Sequence, residues 1–131
     1  MSVNFNSPPV DIRSVAKQVD GNTVRLDELG NKLQAVTSGI TAFATGGQAS
    51  AIALTSGINE ISVCATIGDS VKLPTAVAGL TVSIINNGAT ACDVFPFSGD
   101  DLGAGVDTAA SLAIDAGITY ACYDSTNWHS V

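Results

Sequence analysis

The chain has 131 residues, enough for one ordinary domain with a modest appendage and too few for two enzyme lobes. Twelve acidic residues against 5 basic ones leave a formal net charge of -7. Asp11, Asp20, Asp27 and Glu28 cancel Arg13, Lys17, Arg25 and Lys32, so residues 41–131 carry the whole deficit with Lys72 as their one basic side chain. Nucleic-acid binding draws its affinity from phosphate neutralisation by Lys and Arg, so DNA and RNA are excluded as partners.

Residues 1–10 contain Ser7, Pro8 and Pro9, which favour an extended backbone and prevent a helix from starting earlier. The segment reads as an arm. It has no basic cluster and no apolar run, so a signal peptide and a membrane anchor are not expected, and no stretch of the chain approaches the length of a transmembrane helix.

Residues 11–40 carry the strongest periodic signal, with Ile12, Val15, Val19, Leu26, Leu29, Leu33, Val36 and Ile40 spaced alternately by three and four once Asn22 is counted between Val19 and Leu26. With Ile12 at heptad position a, the d positions are Val15, Asn22, Leu29 and Val36, and only Asn22 breaks the apolar rule. A sustained 3.5-residue period keeps one narrow stripe facing a partner helix, whereas a helix lying on its own domain needs a wider stripe. Ala16, Thr23 and Gly30 at e do not widen it, and Arg13, Lys17, Asp20, Asp27, Glu28 and Gln34 at b, c and f belong in water. The expected partner is another copy. Val at d and Leu at a (Leu26, Leu33) depart from the dimer preference and favour three parallel strands. Gly21 and Gly30 each cost about 1 kcal/mol relative to Ala in a helix, so such a coil is weak in isolation. The trimer interface is thus expected at Ile12, Val15, Val19, Asn22, Leu26, Leu29, Leu33, Val36 and Ile40. Around Asn22 the run from Val19 to Leu26 resembles the apolar-x-x-Asn-Thr-x-x-apolar element of trimeric fibrous adhesins, in which asparagines surround an anion on the axis.

Residues 41–50, with Gly46 and Gly47, suit a hinge, and residues 51–131 read as a β head. Ile52 and Leu54 mark one strand. Ile61, Val63, Ala65 and Ile67 alternate with Glu60, Ser62, Cys64 and Thr66, as in a half-buried strand. Leu80, Val82 and Ile84 precede Asn86, Asn87 and Gly88, where Asn-Gly predicts a hairpin. Val94 to Phe97, Leu112 and Ile114, Ile118 to Tyr123 and Trp128 to Val131 complete a mainly β fold, expected as a β-sandwich of jelly-roll type.

Catalytic and ligand motifs are missing. No glycine-rich loop leads into Gly-Lys-Ser or Gly-Lys-Thr, and no nucleophile-elbow pattern surrounds a serine, so Asp124, Ser125 and His129 read as polar residues facing solvent rather than a triad. Asp100, Asp101 and Asp107 lack EF-hand spacing and read as turn acidity rather than a calcium loop. Cys64, Cys92 and Cys122 are odd in number and lack zinc spacing, and they fit small apolar residues of a protein folded in a reducing cytoplasm. No enzyme activity, cofactor or metal is expected.

The segment from about Ala51 to Trp128 resembles the small β heads of tailed-bacteriophage virion proteins, including capsid decoration or cement proteins and short head fibres. The resembling stretches are Asp69 to Gly79 with Leu73-Pro74, Leu80 to Gly88, and Val94 to Asp100 with Phe95-Pro96 and Gly99-Asp100. The resemblance implies a homotrimer without cofactor, made in the host cytoplasm and located on the outer capsid surface of the virion. There it would stabilise the shell, with the major capsid protein as its partner and no membrane or nucleic-acid contact. Val3, Phe5, Pro8, Pro9 and Val10 of the arm would then lie against the capsid. The alternative is a tail-fibre or spike component whose head binds a host receptor, with Tyr120, Tyr123 and Trp128 as candidate contacts.

Overall fold

A computed structural model describes residues 34–131 of the chain, and Ala35–Val131 form one compact unit. The arm and the heptad positions from Ile12 to Leu33, including Asn22, lie outside the described residues. The elements are β1 (Val36–Thr41), α1 (Gly47–Ser50), β2 (Ile52–Ala53), β3 (Gly57–Val63), β4 (Ser70–Lys72), β5 (Thr81–Asn86), β6 (Cys92–Phe95), β7 (Ala110–Leu112), β8 (Ala116–Cys122) and β9 (Trp128–Ser130). The described fold is mainly β.

Two sheets share one core. The larger has the order β9-β8-β5-β3-β1 and the smaller the order β2-β4-β6-β7. From β1 to β6 the chain visits the two sheets in turn and always in the same sense, so β1/β3, β3/β5, β2/β4 and β4/β6 all pair parallel. Parallel neighbours need a crossover between them, and here each crossover is the strand contributed to the opposite sheet, as in wound β-solenoids. After β6 the winding stops. β7 returns antiparallel to β6, β8 runs antiparallel to β5, and β9 pairs antiparallel with β8. A jelly roll is antiparallel throughout, so the head has the expected two sheets but not the expected jelly-roll connectivity.

The period-2 pattern explains which side chains meet. On β5, Val82, Ile84 and Asn86 point inward and are buried, while Thr81 and Ile85 face out. Ile61 and Tyr120 join them from the larger sheet, and Val71, Cys92, Val94 and Leu112 come from the smaller one. Leu54 and Leu73 extend the small-sheet ladder through Leu54 N–H to Lys72 C=O (2.8 Å) and Leu73 N–H to Phe95 C=O (2.9 Å).

Four expectations are corrected in detail. The helix expected to run to Ile40 is replaced over Val36–Thr41 by β1. β-branched residues four apart fit both a heptad and a strand, the β3 edge supplies a ladder, and Gly39 at φ +73° is outside helical geometry. A register shift between Thr37 and Ile40 turns Val36 outward while Ile40 packs against the core, so these two proposed trimer-core residues do not form one helical stripe. The expected hinge is instead a packed corner. Ala42 N–H bonds to Val63 C=O (2.8 Å), Phe43 and Ser70 exchange both backbone bonds (2.9 Å each), and Ala42 is buried.

The strand expected through Ile67 ends at Val63, and Ile67 stands exposed in the following turn because the Asp69 carboxylate collects the Ala65 and Thr66 amides there. Asn87-Gly88 makes no hairpin, since the chain leaves β5 for the other sheet. Glycine is required at position 88 by close approach: a Cβ there would stand 2.5 Å from the Cys64 backbone nitrogen.

Candidate functional site

Five carboxylates of the head fasten turns. Asp69 accepts from the Ala65 and Thr66 amides (3.0 Å each) and from the Thr45 amide (3.3 Å). Asp100 accepts from the Ala76 amide (2.9 Å), and Asp101 from the Gly103 and Gly105 amides (2.6 and 3.0 Å). Asp107 accepts from Gln48 Nε2 (2.9 Å) and the Gly99 amide (2.7 Å), and those two bonds, in that order, hold its pKa below the ordinary carboxylate value. Asp124 is lowered in the same way, first by the Thr126 amide and then by the Asn127 side chain, so its carboxylate is engaged within its own turn. Among the described residues no three His, Cys, Asp or Glu side chains converge where they could hold a metal ion.

The three cysteines are buried free thiols. Cys64 Sγ donates to Ala91 C=O (3.4 Å) and Cys92 Sγ to Asp69 C=O (3.5 Å), so both sit at the corners joining the sheets. Burial, then the neighbouring Cys64 thiol, pushes the Cys92 thiol upward, which makes it an inert packing group.

The aromatic candidates do not form an exposed platform. Tyr120 and Trp128 are each 2% exposed and belong to the core, whereas Tyr123 is 65% exposed. A platform for a ligand ring needs an open aromatic face, which Tyr120 and Trp128 do not offer. Burial raises the Tyr120 phenol pKa, and Trp128 Nε1 is buried without an acceptor among the described residues.

One face of the head does carry a site-like arrangement. On the outer side of the larger sheet the register aligns Val36 with Ile58, Ile58 with Ser83, and Ser83 with Thr119, while Val131 N–H bonds to Thr119 C=O (2.8 Å). Ile85 lies beside this row, opposite Gly117, and the absent side chain there leaves a groove of about 300 Å³ over Ile58, Ser83, Ile85, Thr119 and Val131. Among the described residues no charged side chain lines it, and Glu60 stands beside Ile85 at its edge. The Ser83 and Thr119 hydroxyls bond to each other at 2.8 Å, so covering this face leaves only one hydroxyl hydrogen in need of an acceptor.

Glu60 marks the rim. Its carboxylate accepts from the Gly39 amide (2.9 Å), Asn87 Nδ2 (2.9 Å) and the Ser62 hydroxyl, which lower its pKa in that order and tie the irregular part of β1 to β3. Sequence reasoning missed this face. Its available signal was Ile58 and Ile85, apolar residues at strand positions whose phase points them away from the core. Comparison with protein-family models, curated proteins and solved structures finds no match for the chain.

Proposed function

We propose that the chain is a non-enzymatic structural protein of a tailed-phage virion, a decoration or cement protein that binds the outer capsid surface as a homotrimer and stabilises the shell. The observation that carries this reading is the heptad series to Leu33, which leads within three residues into a compact acidic β head. A subunit of this kind has its assembly element and its exposed element in one short chain.

Support also comes from where the resembling residues sit. Asp69 and Asp100 fasten corners, Leu73 is fully buried, and Asn86 bonds three carbonyls inside the head. The likeness therefore falls on residues that build a head rather than on a catalytic site.

The test is the copy number of this chain in purified particles relative to the major capsid protein, by quantitative mass spectrometry. Hundreds of copies are expected. A few copies would move the chain to a tail or vertex and make the receptor-binding reading the better one, and absence from particles would overturn the virion reading.

A further inference from the structure

We infer that the outer face of the larger sheet, along Val36, Ile58, Ser83, Thr119 and Val131 with Ile85 beside them, packs against the same face of two further copies around the trimer axis. The inference rests on the trimeric-coil reading of residues 12–33 and extends it to the head.

Chain connectivity brings the heads together. Leu33 is the last heptad position before β1, and only Gln34 and Ala35 separate it from Val36. Helices of a parallel bundle lie roughly 8–10 Å apart, while a domain of about 100 residues has a radius of gyration of about 13 Å. Three heads attached by two-residue connections to such a bundle are held close enough for their faces to meet.

Charge selects the face. Glu60, Asp69, Asp93, Asp100, Asp101, Asp107, Asp115 and Asp124 oppose only Lys72 among the Lys and Arg of residues 41–131, so heads meeting through a random surface would repel. The row that begins at Val36, beside the chain's entry, consists of uncharged side chains with Ser83 and Thr119 bonded to each other, and the one carboxylate beside it, Glu60 next to Ile85, is already held by the Gly39 amide, Asn87 and Ser62. Val36 is 63% exposed and Val131 76%, so covering them removes apolar surface from water. The coil also needs this help, because Gly21 and Gly30 weaken it.

The test uses the full chain and sedimentation over a range of concentrations, with the double variant Ile58→Asp/Ile85→Asp and, separately, Ile85→Cys as a thiol reporter. Circular dichroism checks that each variant folds. The wild type is expected as a trimer, and the double variant is expected to dissociate at a concentration on the order of a hundredfold higher, because six carboxylates would face one axis. The thiol introduced by Ile85→Cys should react with a maleimide at least about tenfold more slowly in the trimer than in diluted monomer, as a buried interface position does.

A wild-type trimer whose double variant is equally trimeric and whose introduced thiol reacts freely overturns the proposed face and leaves the coil reading standing. A thiol still protected in the diluted monomer shows that the chain's own N-terminal residues cover the face, which overturns the second-copy proposal. A wild type that is monomeric throughout, with a freely reacting thiol in the Ile85→Cys variant, removes both readings.

Discussion

Asn59 and Asn86 both lie at 0% relative exposure, yet they hold different ends of the wound head. Asn59 works within one corner: its Nδ2 donates to Thr55 C=O (2.8 Å) and its Oδ1 accepts from the Thr55 amide (3.2 Å), with a longer bond to Ser83 C=O (3.3 Å). Asn86 reaches across the chain. Its Nδ2 donates to Thr90 C=O (2.9 Å), Leu112 C=O (3.0 Å) and Ala113 C=O (3.3 Å), while its Oδ1 accepts from the Gly88 amide (2.9 Å). The difference follows from the topology. A winding corner joins neighbours in sequence, but the end where parallel strands give way to antiparallel ones must couple segments far apart.

The largest expected effect is therefore at Asn86. Asn86→Ala removes this partner from the Gly88 amide and the Thr90 and Leu112 carbonyls, while the Ala113 carbonyl keeps the Ala116 amide (3.3 Å), and at about 1–3 kcal/mol for each group fully stranded the expected loss is about 4 kcal/mol in guanidinium unfolding. Asn86→Asp isolates the donor's share. A carboxylate cannot donate to those carbonyls, so at neutral pH this variant should be at least as unstable, and acidification that protonates it should recover part of the loss. A loss below about 1 kcal/mol for Asn86→Ala would show that water reaches the site and that the closing end is not specially coupled.

The sequence made individual strands legible but not their partners. Val82 and Ile84 alternate with Thr81 and Ser83, which places β5 and its inward face correctly. Asn87-Gly88 then misleads, because a hairpin signal records local turn tendency, whereas glycine here is fixed by contact with Cys64 from another turn of the winding. Val36 and Ile40 mislead for a related reason: a spacing of four is shared by the helical and the extended periods. Of the candidate site, the burial of Tyr120 and Trp128 agrees with the ordinary expectation for a fold poor in aromatics. The groove beside Ile85 was illegible, since it depends on Gly117 standing opposite Ile85 across two strands.

A smaller effect is expected at Asn59. Thr55 is exposed, so water can replace part of what Asn59→Ala removes, and a loss of about 2 kcal/mol is expected. The location matters more than the size. Hydrogen exchange should accelerate around residues 55–63 while the β8 amides keep their protection, because the Asn59 bonds stay within its corner apart from the longer one to Ser83. Equal loss of protection in β8 would mean that the two ends unfold as one unit and would remove the distinction between the asparagines.

The smallest effect concerns Glu60, which holds β1 at the end where that strand has no neighbour on its outer side among the described residues. Its folded pKa lies below the ordinary glutamate value of 4.5, first through the Gly39 amide and then through Asn87 and Ser62. A carboxylate depressed in this way contributes its stabilisation above the unfolded pKa and loses it as pH falls through the folded one. The Gly39 amide resonance should thus be constant from neutral pH down to the ordinary glutamate range and should shift only below it, with a midpoint under 4.5. Glu60→Gln should abolish that titration while the global unfolding midpoint at neutral pH barely moves, because a carboxylate at the solvent-facing edge of the sheet is screened by water. A Gly39 titration that survives in Glu60→Gln would assign the acid response of β1 to another carboxylate, and a large fall in the global midpoint would show that this edge is as strongly coupled to the core as the closing end.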